Sequence, residues 1–242
     1  MRGAAIAAWG KALAAIAVTV ALFPLQIVVR AVSDGPAAFV LPQWWHRALC
    51  RVLAIDVELV GTLNCRAGTI YAGNHISHFD VFAVGSCVRA AFIAKGEMSG
   101  WPGMKLLGAM QQTLFVSRRA RDAARVGASV REAIGRGTRL VLFAEGTISA
   151  GTTVAPFRSS LLEVLADPSP PRINSWLQPF TLELTEVDGR PIGSAIDRDL
   201  YAFHAATPGT SRKELAQAAH AAVTSALGSV PNGVPPSTAG AR

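Results

Sequence analysis

The chain has 242 residues, half of them hydrophobic, and carries 23 Lys and Arg against 16 Asp and Glu, a formal charge of +7. That length supports one sizeable core, and the positive balance favours phosphates, acidic lipids or acidic proteins as partners. Two tyrosines and no basic-aromatic run speak against a nucleic-acid groove, and three scattered cysteines, Cys50, Cys65 and Cys87, suggest neither a disulfide framework nor a zinc knuckle.

From Ala12 to Val29 the sequence runs 18 residues without a charge, as a helix roughly 27 Å long and close to the hydrocarbon thickness of a bilayer. Pro24 and Gln26 interrupt it. Residues 1–32 are expected to be a hydrophobic membrane anchor, crossing, tilted or re-entrant. A cleaved signal and a buried core helix are the alternatives, although no small-x-small cleavage site ends the run. Arg2 and Lys11 before it are balanced by Arg30 and Arg47 after it, so charge does not set an orientation. A second helix is expected near 42–54, with Pro42 in its first turn. Trp44, Trp45, Leu49, Val52 and Leu53 stand there among His46, Arg47 and Arg51. That mix suits a lipid headgroup boundary, and equally an amphipathic helix packed on the domain.

Beyond residue 54, β-rich runs alternate with helical patterns. Strands are expected at 55–61, 68–73, 90–95, 113–117, 139–145 and 175–184, and helices at 79–88, 101–110, 121–134 and 211–227. The clearest helix has Val126, Val130, Ala133 and Ile134 on one stripe and Gly135 as a stop. Strands separated by such helices predict an α/β fold: a layered, largely parallel sheet flanked by helices. Residues 229–242 show no pattern and are expected to be a disordered tail.

Ligands of such sheets collect where strands end and helices begin. The sequence NHISHFD, residues 74–80, follows one expected strand. His75 and Asp80 are five apart, roughly 140° out of phase on a regular helix, so a turn must precede the helix for them to meet. Asp80 would then hold one ring nitrogen and leave the other to take a proton, the orienting half of a triad with no serine of its own. A hydroxyl on the substrate would supply the nucleophile, with His75 as general base. Three other readings stay open: Ser77 as nucleophile, His75, His78 and Asp80 as metal ligands, and Asn74 with the histidines as a helix cap.

Two further stretches carry chemistry. FVSRRAR ends a strand in Arg118, Arg119 and Arg121, a residue type that grips phosphate bidentately. VLFAEGT ends another in Glu145, Gly146 and Thr147; a carboxylate at a buried strand tip must be used or paired, and glycine admits a close approach. Arg158, and a strand carrying Gln178, Pro179 and Phe180, complete the set.

In order, NHISHFD, FVSR, FAEGTIS and LQPFTL resemble the four sequence blocks of the glycerolipid acyltransferases of the 1-acylglycerol-3-phosphate acyltransferase type, over roughly residues 50–190. The resemblance implies an acyltransferase domain over 33–228. His75 would deprotonate the acceptor hydroxyl and Asp80 would orient it. The acyl group would pass directly from acyl-CoA or acyl carrier protein, with no metal or other cofactor. Arg118 would hold an acceptor phosphate, and Glu145, Gly146 and Thr147 would shape the acceptor site, with Asn74, Ser77, Arg158 and Pro179 as further substrate-binding positions. The implied partners are a lysolipid and a membrane surface, not nucleic acid. The implied location is a bacterial inner membrane, with the catalytic domain on its cytoplasmic face.

The sequence departs from the usual blocks in four places. Ala144 replaces a proline, Ser117 a frequent aspartate, Phe180 a common valine and Ile148 a frequent arginine. Without a basic residue at 148, the stretch FAEGTISAG also resembles the subgroup that acylates lyso-ornithine lipid, an acceptor without phosphorus. The expected reaction is therefore acylation of 1-acylglycerol-3-phosphate to phosphatidic acid, with lyso-ornithine lipid as the alternative acceptor. The alternative from another class is a metal-dependent hydrolase.

Overall fold

The computed structural model describes residues 2–117, 122–149, 153–158, 162, 175–187, 190–191 and 212–228. Arg118, Arg119, Arg121 and the expected tail 229–242 lie outside these.

The chain opens with α1 (Arg2–Val32) and, after a short 3-10 turn at Pro36–Phe39, α2 (Val40–Leu53). The two helices run antiparallel. Lys11 Nζ bonds the Leu53 carbonyl at 3.1 Å, Trp45 Nε1 donates to Thr19 Oγ1 at 2.9 Å, and Gln26 Nε2 donates to the Ala38 carbonyl at 2.9 Å. Gln26 also reaches the Met110 carbonyl at 2.7 Å, tying the hairpin to the domain. One stripe of α1 therefore faces protein, while Ile6, Trp9, Leu13, Ile16 and Val20 on another are exposed. Ala54, in the left-handed conformation, ends α2.

The five strands β1 (Thr69–Gly73), β2 (Ala91–Lys95), β3 (Leu114–Val116), β4 (Leu140–Phe143) and β5 (Trp176–Phe180) form a parallel sheet in the order β3-β2-β4-β1-β5. Between them lie α3 (Asp80–Cys87), α4 (Met104–Met110) and α5 (Ala123–Gly135); α6 (Arg212–Gly228) comes last. Successive strand residues face opposite sides. Ile70, Leu140, Leu142 and Leu177 meet Val130, Ile134 of α5 and Ala219, Val223 of α6. Tyr71, Val141 and Phe92 meet Val84 of α3 on the other face. Strands covered on both sides read as near-continuous apolar runs, which is why β1 and β4 were legible.

Three expectations change. Residues 55–61 form no strand: Val57, Leu59 and Val60 are exposed, and β-branched residues make a strand only where a ladder partner exists. The stop of α5 is Gly137, not Gly135. Gly137 takes φ +79°, and the Thr138 N–H bonds the Ala133 carbonyl at 3.0 Å, a Schellman closure that needs the left-handed residue two positions later. The last long run stops at Phe180, and a small antiparallel pair, β6 (Glu186–Val187) with β7 (Arg190–Pro191), follows it. The intervening Asp-Gly in the sequence is a hairpin signal.

Candidate active site

In the sheet β1 lies beside β4 with Gly73 opposite Phe143, so the segments that leave the two strands emerge together at the carboxyl edge. The Ala144 N–H bonds the Gly73 carbonyl at 2.9 Å and the Ser149 N–H bonds the His75 carbonyl at 2.7 Å. These bonds join 74–80 to 144–149 and bring His75 beside Glu145.

Residues 74–79 are not helical, and α3 begins at Asp80. The turn does what a regular helix would prevent: His75 Nδ1 stands 2.7 Å from Asp80 Oδ2. The same oxygen accepts the N–H groups of Ile76 at 2.7 Å and Ser77 at 2.9 Å. A carboxylate oxygen only accepts, so Nδ1 carries a proton, and in the neutral ring Nε2 presents its lone pair. Among the described residues no hydrogen-bond partner stands at Nε2, and the side chain is 17% exposed. The ring lies on Phe143, with centroids 4.1 Å apart and planes 10° apart. The pair can remove a proton from a hydroxyl brought to Nε2.

Glu145 is buried, and its two oxygens are occupied by backbone. Oε1 accepts the His75 N–H at 3.1 Å and Oε2 the Ala155 N–H at 3.3 Å. It thus braces the histidine segment against the loop at 153–158. That loop is held in turn by His220 of α6, whose Nε2 bonds the Val154 carbonyl at 3.2 Å. Gly146 turns the chain at φ +69°, its N–H on the Phe143 carbonyl at 3.0 Å; Thr147 and Ile148 beyond it are exposed. Arg158 is exposed, with its N–H on the Ala144 carbonyl at 2.9 Å and Nε on the Glu145 carbonyl at 3.4 Å.

Other expected positions sit in the framework. Asn74 is buried and clamps Leu182 from both ends of its amide, at 2.9 and 2.7 Å. Ser77 Oγ accepts the Phe79 N–H at 3.1 Å and shapes the turn. Pro179 is fully buried in β5, opposite Ala72, on an edge strand where its missing N–H leaves no ladder bond unmade. Arg118 lies outside the described residues. His78 is exposed, and among the described residues no three His, Cys, Asp or Glu side chains could share an ion. The Phe143 stack and the His220 brace were not foreseen, since an apolar residue at a strand end and a histidine in a helix carry no sequence mark of their own. A shallow apolar groove lies apart from this site, between α1, α2 and α4, lined in part by Leu22, Phe23, Pro42, Trp45 and Leu107.

The family model described as Acyltransferase matches residues 55–178, half of the chain. The chain belongs to the acyltransferase family. The chain is 32% identical to the lyso-ornithine lipid O-acyltransferase of Rhizobium meliloti (strain 1021) over 74% of its own length, and 30% identical to that of Brucella abortus (strain 2308) over 61%. It spans 62% and 55% of the length of those two curated relatives. It is also 33% identical to the 1-acyl-sn-glycerol-3-phosphate acyltransferase of Neisseria gonorrhoeae, over 41% of this chain and 40% of that one. The crystal structure of the 1-acyl-sn-glycerophosphate (LPA) acyltransferase PlsC from Thermotoga maritima shares the fold, with a TM-score of 0.51 and 18% identity over 70% of this chain and 74% of that one.

Proposed function

We propose that this acyltransferase moves a fatty acyl group from a thioester, acyl-CoA or acyl carrier protein, to the hydroxyl of a lysolipid. The observation that carries this reading is the His75 Nδ1 to Asp80 Oδ2 bond of 2.7 Å, which leaves Nε2 as a base. His75 takes the proton from the acceptor hydroxyl as its oxygen attacks the thioester carbonyl. The C–S bond then breaks, and the departing thiolate recovers the proton from the imidazolium. The products are an ester and a free thiol, and no acyl-enzyme is needed. General-base assistance of this kind contributes about 10² to 10⁴ in rate.

Lyso-ornithine lipid is the acceptor we favour. Ile148, exposed beside the site, presents no charge to a phosphate, and the Rhizobium and Brucella relatives are named for that acceptor. The second reading, 1-acylglycerol-3-phosphate giving phosphatidic acid, draws support from exposed Arg158 beside Glu145 and from the Neisseria relative.

The α1–α2 hairpin supports attachment to a membrane lying along one leaflet. α1 has 28 residues apolar enough to cross a bilayer, but it is bonded along its length to α2. Crossing would carry Gln43, Arg47 and Arg51 of α2 into hydrocarbon, where charges are costly. Lying flat, α1 buries its exposed stripe in lipid.

The test is thiol release from palmitoyl-CoA and from palmitoyl-acyl carrier protein with each lysolipid in turn. His75→Ala is expected to abolish release while the protein still folds and binds vesicles. A purified His75→Ala protein that turns over like the wild type refutes the reading.

A further inference from the structure

We infer that Phe143 is a positioning residue for the transfer, its ring face setting the plane of the His75 imidazole and stabilising the cation that imidazole becomes. This rests on the acyl-transfer reading of the same site. The bond to Asp80 fixes one atom of the imidazole. It does not fix the plane, because the torsion between Cβ and an aromatic ring is broad. Phe143 supplies the missing restraint: the two rings lie nearly parallel, 10° apart with centroids at 4.1 Å, so the imidazole cannot roll toward the sheet.

Phe143 is itself fixed. Phe180 meets it edge-on at 6.2 Å and Phe92 lies beyond at 6.3 Å. Phe180 has room only because residue 73 is glycine, where a Cβ would stand 2.5 Å from the Phe180 ring. Gly73, Phe180 and Phe143 thus form a buttress behind the base, fixed by the pairing of β1 with both β4 and β5.

The stack also changes in strength during the reaction. A neutral imidazole gains little beyond contact from a phenyl face. An imidazolium is attracted by the negative face of the ring quadrupole. As the acceptor proton moves to Nε2, positive charge spreads over the imidazole, neutralised in its plane by Asp80 and above its plane by Phe143. A contact stronger in the transition state than in the ground state raises kcat and leaves KM.

The experiment places phenylalanine, 4-fluoro-, 3,5-difluoro- and 3,4,5-trifluorophenylalanine at position 143 by site-specific incorporation in the full chain, with thiol release as readout. Fluorine keeps shape and apolarity but drains the ring face. Log kcat is expected to fall in steps with fluorine number, the total reaching about 2- to 30-fold at constant KM. Phe143→Leu, which removes the face, is expected to fall further. A flat series in an active protein overturns the inference while leaving the acyl-transfer reading intact. A wild-type protein that releases no thiol with any acceptor, like His75→Ala, overturns both.

Discussion

Glu145→Gln separates two roles for a residue that the family resemblance places in the acceptor site and the geometry places in the framework. The carboxylate is 3% exposed and accepts one backbone N–H on each oxygen, from His75 at 3.1 Å and Ala155 at 3.3 Å. A glutamine keeps the shape but turns one of those acceptors into a donor, aimed at another N–H. A hydrogen bond to a charged group contributes about 1.5–3 kcal/mol; at these distances the lower end applies to the bond lost, and the surviving bond weakens to a neutral one. Removing a buried charge returns part of this, leaving a destabilisation of about 2 kcal/mol. In a chain of this size that corresponds to a fall in Tm of about 4–8 °C. Tryptophan fluorescence during heating, with the protein in detergent, reads it. Activity is expected to fall through kcat, because the His75 backbone loses its tether. An unchanged Tm accompanied by a rise in KM for the lysolipid would show that the carboxylate touches the acceptor, and would refute the brace.

Asp80→Asn leaves a neutral oxygen for the three N–H groups now bound, so thiol release is expected to drop by about 10²- to 10⁴-fold, within the range of general-base assistance; a loss below tenfold contradicts the pairing. Gly85→Ala puts a Cβ 2.4 Å from the His46 ring and is expected to cost about 1–3 kcal/mol by overpacking, with His46→Ala in the same chain relieving part of it; additive losses in urea unfolding rule out that contact. Burial pushes the His46 imidazole down to about 4 from 6.5, with the Gln111 bond opposing the shift. The unfolded chain then binds more protons between those values, so stability is lost as pH falls from 6.5 to 4, by about 3 kcal/mol in total. Wild type is expected to lose about 2–3 kcal/mol more than His46→Gln between pH 7 and 4.5, and equal losses in urea titrations exclude the buried neutral ring. Replacing Trp9, Leu13 and Ile16 by serine is expected to release the protein from vesicles in flotation without lowering its Tm, since all three are exposed.

Local chemistry was enough to read the parallel α/β layout, because buried strands such as IYA and LVLF are apolar throughout and the helices between them are periodic. It was enough, too, to expect that His75 and Asp80 meet across a turn, as they do at 2.7 Å. It could not reveal that the strands before His75 and Glu145 are neighbours, because strand order is settled by which pairing buries the most surface across distant segments. That pairing turned Glu145 and Asn74 into braces and set Phe143 beneath the histidine. The segment at 55–61 went the other way: its residues suit a strand, but among the described residues no strand lies alongside to bond it. The apolar run of α1 was legible as a helix long enough to cross a bilayer, whereas its packing against α2 was not, because that rests on side-chain bonds between residues up to 42 positions apart.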